Sequence, residues 1–239
     1  MTDEMEYVDG IFYEYEEDKA MVSVQSDDEI GEFIQIPESV RDSEGYIHEV
    51  TKIDEGAFGI CHNLKAVVVP DSVVSIGDSA FMGCDNLKTV KLSNRLTRIN
   101  EAAFFDCQKL ETIVIPDCVT KIDKHAFWQC KNLRDLILPE ELSYIGEEAF
   151  VASGLQSIFI PASVTFIGDG AFDYCKELTD IQVDIANTKY YSDGDKLIEK
   201  ERGKVIFKRG GNVDYARINS GQVNKKRGFF QKLKDAFSK

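Results

Sequence analysis

Little in this 239-residue chain offers chemistry. It has three histidines, His48, His62 and His125, and no two share a motif. Gly-x-Ser-x-Gly, a Gly-rich phosphate loop and His-Glu-x-x-His are all missing, which removes the usual signatures of serine hydrolases, nucleotide-binding enzymes and zinc peptidases. No Cys-x-x-Cys pair supplies zinc spacing, and no Asp-x-Asp-x-Asp loop with a glycine supplies a calcium site. Cys61 and His62 are the one local nucleophile–base candidate, but residues adjacent in sequence usually point apart. Carboxylates are plentiful, yet spacing singles out no glycosidase-like pair. Apolar runs stay well short of the ~20 residues of a membrane-spanning helix. The opening MTDEMEYVDG has neither the basic nor the apolar region of a signal peptide. These absences lead to the expectation of a non-enzymatic protein without cofactor or metal. The expected location is the cytoplasm, with membrane association as a variant, or the cell surface if a leader has been lost.

Charge excludes a further class. The net charge is −14, and such a body repels phosphate backbones, so a nucleic-acid partner is not expected. The carboxylates are scattered and read as a solubilising surface.

What the chain does contain is a repeat. Ala-Phe recurs at Ala57-Phe58, Ala80-Phe81, Ala103-Phe104, Ala126-Phe127, Ala149-Phe150 and Ala171-Phe172, every 23 residues and, at the last step, after 22. Five and eight places before each Phe stand apolar residues, such as Ile122 and Val119 before Phe127. Cys follows at the third place in five of the six repeats (Cys61, Cys84, Cys107, Cys130, Cys175), with Ser153 in the other. A column of thiols facing one way reads as small buried packing groups rather than a redox or metal site. The sixth cysteine, Cys118, lies two residues after Pro116, where other repeats place Ser72 or Ser163. Each repeat ends in a short period-two run, for example TIVIP or SIFIP, that predicts a strand of about four residues. A unit this small cannot bury its apolar face alone, whereas stacked units make one continuous core with parallel strands along one side.

The clearest copy, IVIPDCVTKIDKHAFWQCKNL from Ile113 to Leu133, resembles the leucine-rich repeats of the BspA type. The resemblance covers roughly residues 33 to 184. It implies a curved solenoid with parallel strands on the concave face and short helical or irregular segments on the convex face. It also implies a surface or interaction protein of the kind found in host-associated bacteria and protists.

The flanks divide accordingly. Residues 1 to 32 are expected to form a capping hairpin, and 33 to 184 the repeats, the first carrying a Gly-Tyr insertion at 41 to 50. Residues 185 to 210 are expected to form a second capping hairpin, and the polar stretch 211 to 224 a linker. In the last fifteen residues Lys225, Lys226 and Arg227 precede Phe229, Phe230, Leu233 and Phe237, which fall on one side of a helix. Such a basic amphipathic tail suits an anionic membrane or a partner's groove.

The candidate binding residues are those pointing outward between the buried strand positions. Gln35, Val68, Lys91, Val114, Ile137, Phe159 and Gln182 form that column, and Arg134 and Asp135 belong to its polar rim. Val114, Ile137 and Phe159 would make an exposed apolar stripe on the strand face, a feature associated with protein interfaces. The plainer alternative is that β-branched and aromatic residues suit strands. The expected partner is therefore a protein, with the membrane-anchored adaptor as the alternative.

Overall fold

The computed structural model describes residues 6–8, 11–23 and 31–209. The linker and the basic tail lie outside the described residues. In chain order the strands are β1 (Glu6–Val8), β2 (Ile11–Glu16), β3 (Lys19–Val22), β4 (Phe33–Gln35), β5 (Ser39–Arg41) and β6 (Ile47–Ile53). Then come β7 (Ala66–Val68), β8 (Ser75–Ile76), β9 (Thr89–Lys91), β10 (Arg98–Ile99), β11 (Thr112–Ile113), β12 (Lys121–Ile122), β13 (Tyr144–Ile145), β14 (Ser157–Ile160), β15 (Phe166–Ile167) and β16 (Asp180–Val183). The chain closes with β17 (Tyr190–Ser192), β18 (Lys196–Glu199) and β19 (Val205–Lys208).

Successive coils stack in register. The predicted repeat strands form a parallel ladder β4–β7–β9–β11, and β14 pairs in parallel with β16. The ladder is interrupted at residues 134–138, where a strand was expected and none forms, although Leu136 and Leu138 remain buried. This is the one coil whose two inward positions both lack a β-branched side chain, so its backbone has the weakest preference for the extended form.

The segment ahead of each Ala-Phe builds a second ladder that periodicity had not indicated. It runs β10–β12–β13–β15, with β6–β8 as its earlier section. Each of these strands except β6 is two residues long, too short for alternation to register.

The Ala-Phe side contains turns and, among the described residues, no helix. It is nevertheless a third ladder. In the first five of the six repeats the Phe N–H and the N–H groups two residues before and after it donate to the next coil, as in Ser79 N to Glu101 O, Phe81 N to Ala103 O and Gly83 N to Phe105 O at 2.7 to 2.9 Å. The two flanking residues adopt left-handed backbone in all six repeats, with φ between 54° and 74°. Only three of these twelve, Gly56, Gly83 and Gly170, are glycines. The others meet the steric cost of a Cβ at positive φ.

Inside the coils the six repeat Phe rings stack with centroids 5.1 to 5.5 Å apart and planes within 7° of parallel. Each is fully buried. The cysteine column packs beside them, four of its five thiols donating to the Phe carbonyl of the previous coil: Cys84 to Phe58, Cys107 to Phe81, Cys130 to Phe104 and Cys175 to Phe150, at 2.9 to 3.2 Å. Burial pushes the Cys175 thiol up to about 11 and raises Cys84, Cys107 and Cys130 as well. The one-residue deletion is absorbed at Gly154, where a Cβ would overlap the Lys131 carbonyl. The Phe150–Phe172 stack survives it at 5.5 Å.

At the N-terminal end β3 pairs in parallel with β6 and so covers the start of the second ladder, while β5 and β6 form an antiparallel hairpin around residues 42–46. At the other end β17, β18 and β19 form an antiparallel sheet. Asn187 ties down the bend between β14 and β15 there. Its Nδ2 donates to Pro161 O and Val164 O at 2.7 and 3.1 Å, and its Oδ1 accepts from the Lys189 and Tyr190 amides.

Candidate protein-binding face

Alternation within each repeat strand turns every second side chain out of the coil. Gln35, Val68 and Lys91 are paired in register across β4, β7 and β9, as are Phe159 and Gln182 across β14 and β16. Val68 is half-buried; Lys91, Arg134 and Asp135 are exposed. Val114 lies one residue past β11 and Ile137 in the interrupted coil, so both sit at the outward position without ladder pairing. Their exposures are 80% and 86%, and that of Phe159 is 43%. The residues on either side of each, Ile113 and Ile115, Leu136 and Leu138, Ile158 and Ile160, are buried. The coil backbone thus holds three apolar side chains outward at equivalent places in successive repeats.

A second outward column went unread in the sequence. On the second ladder Tyr144 and Phe166 pair in register, their rings stacked 4.8 Å apart, and the Lys121 ammonium lies 5.9 Å from the Tyr144 centroid. Phe166 is 47% exposed. The signal was available in the residue preceding each inward Ile, but it emerges only once that segment is recognised as strand.

The histidines are dispersed among separate carboxylates. His48 is buried with Nε2 2.8 Å from Asp42 Oδ2, a contact that holds the Asp42 carboxyl below its ordinary range, with help from the Tyr46 and Gly45 amides. His62 Nδ1 is 3.0 Å from Asp85 on the surface, and the buried His125 places Nε2 3.1 Å from Glu148. Cys61 is buried while its neighbour His62 is exposed, so the two diverge. Five cysteines are buried; Cys118 is exposed and donates to Asn94 O and Leu96 O. Among the described residues no group of three or more His, Cys, Asp or Glu side chains could hold a metal ion, and no helix is long and apolar enough to cross a membrane. The proposed tail residues, Lys225 to Phe237, fall outside the described residues.

Residues 51–179 match the model of the BspA type leucine-rich repeat region in six copies. A leucine-rich cell-surface protein from Faecalibacterium prausnitzii A2-165 has a similar structure, with a TM-score of 0.67 and 27% identity over 86% of this chain. This chain spans 61% of that protein's length. The leucine-rich repeat protein of T. pallidum aligns with a TM-score of 0.66 and 28% identity, over 74% of this chain and 81% of its own. One from Bacteroides ovatus aligns at 0.52 and 28%, over 74% of this chain and 40% of its own. No curated protein matches the sequence.

Proposed function

The chain belongs to the BspA-type leucine-rich repeat family, and from that premise we propose that it is a non-enzymatic scaffold that binds a protein partner along its strand face. The observation that carries this reading is the outward exposure of Val114 and Ile137 at 80% and 86%, continued by Phe159 in the next coil. Fully burying one such side chain against a partner contributes roughly 1.5–3 kcal/mol, and an aromatic such as Phe159 suits the centre of an interface. Lys91, Arg134 and Asp135 surround the stripe with charges of both signs, which orient a partner more than they hold it.

The test is capture of a protein from lysate and membrane fractions of the native host by the immobilised chain, compared with Ile137→Asp and Phe159→Asp. One protein retained by the parent and lost with both variants supports the strand face. Unchanged capture by both variants removes it.

A further inference from the structure

The two strand ladders end differently. The second is covered at its start by β3 pairing with β6, and at its finish the Tyr190 hydroxyl takes the Ile167 amide. The first ladder finishes at β16, whose only strand partner among the described residues is β14. Asp180 N and Asp184 N donate to Gln156 O and Ile160 O, at 3.3 and 2.9 Å, so the even-numbered residues of β16 face β14. The odd-numbered residues therefore turn the N–H groups of Ile181 and Val183, and the C=O groups of Thr179, Ile181 and Val183, toward the open edge. In interior coils the same positions are used. Lys65 O, equivalent to Thr179 O, accepts from Lys88 N, and Val69 N, equivalent to Val183 N, donates to Lys91 O, both at 2.8 Å.

This edge lines an open cavity of about 610 Å³, which is also lined by Tyr190, Tyr191 and Ser192 of β17. Ile181 and Val183 supply apolar lining, and Asp180 and Asp184 place two carboxylates on the strand side; Lys200, the one cation in the lining, donates to Asn187 O at 2.6 Å.

We propose that the β16 edge is a binding site for an extended polypeptide segment of a partner, which adds in parallel as one more rung of the first ladder. Backbone pairing of this kind supplies affinity, and alternate side chains supply selectivity. The repeat itself defines the preference. Residues opposite Ile181 and Val183 are β-branched and apolar, and residues opposite Asp180 and Asp184 are Lys or Arg, as cross-strand charge pairing favours. This site is separate from the outward stripe and does not depend on it.

The probe is a fluorescein-labelled peptide with the core Lys-Ile-Thr-Val-Lys, titrated with the full chain and followed by fluorescence anisotropy. In the parallel register its Thr N–H faces Ile181 O, whereas its Ile and Val N–H groups face away. Saturable binding is expected. Methylating the Thr nitrogen should weaken it about tenfold, the scale of one lost hydrogen bond, and methylating the Val nitrogen should not. Asp180→Lys weakens binding and Val114→Asp leaves it unchanged. The proposal is overturned by absence of saturable binding, by equal affinity of the two methylated peptides, or by loss of binding in Val114→Asp.

Discussion

The Tyr190 hydroxyl accepts a hydrogen bond from the Ile167 amide at 2.8 Å, in a buried setting where the second ladder meets its last coil. Without that oxygen the amide would be buried and unpartnered. Tyr190→Phe should therefore cost about 1–3 kcal/mol of unfolding free energy, measured by urea denaturation. A change below 0.5 kcal/mol would mean that water replaces the hydroxyl.

Ala152 holds φ at 54° with its side chain only half-buried. Glycine relieves the steric cost of a left-handed L-residue but adds entropy to the unfolded chain, and the first effect is the larger. Ala152→Gly should stabilise by roughly 0.5–1 kcal/mol, readable as a small rise in Tm. A fall in Tm would show that the methyl packs more than its exposure suggests.

Gly146 is fixed by contact rather than by dihedral. A Cβ there would overlap the backbone of Asp123 and Lys124 in the coil before it. Gly146→Ala should cost about 3 kcal/mol, because backbone cannot move aside as a side-chain tip can. Stability equal to that of the parent would contradict the coil spacing at this corner.

Cys118 should be the one thiol that reacts readily with a maleimide in the folded protein, since the other five are buried. Burial disfavours the thiolate that does the attacking. Mass spectrometry of briefly treated protein should show a single adduct, rising to six after denaturation. Two or more adducts in the native state would indicate that the coils open locally.

Asp173 has its carboxyl pKa raised, by burial first and then by Glu148 and Asp169. The folded state thus takes up a proton before the unfolded chain does. As pH falls from neutrality through the raised value, this residue's contribution to stability improves, and the improvement is complete near the ordinary Asp value. Asp173→Asn should raise Tm at pH 7, and its advantage should shrink as pH approaches 4. An advantage independent of pH would assign the effect to packing.

The periodic elements were legible because a repeated signal averages out local ambiguity. Phe58 to Phe172 and the cysteine column could be placed in the core from spacing alone. The left-handed ladder was not legible: residues as different as His125, Glu148, Ile60 and Tyr174 occupy its special positions, and glycine marks only three of them. Asn187 also escaped notice. It lies beyond the last recognisable repeat, and its role is defined by carbonyls of Pro161 and Val164, more than twenty residues earlier. At the outward stripe the sequence indicated which way Val114 and Ile137 point. The loss of ladder pairing through Ile137 falls where the inward pair, Leu136 and Leu138, carries no β-branched side chain.

The three ladders have a mechanical corollary. All of their hydrogen bonds run from coil to coil, so tension applied between the two ends loads the coils in series. The weakest rung opens first. Each coil that peels away then frees 22 or 23 residues, roughly 75 Å of extended chain. Under load such a body lengthens in even steps, yielding one turn at a time while the remaining coils hold.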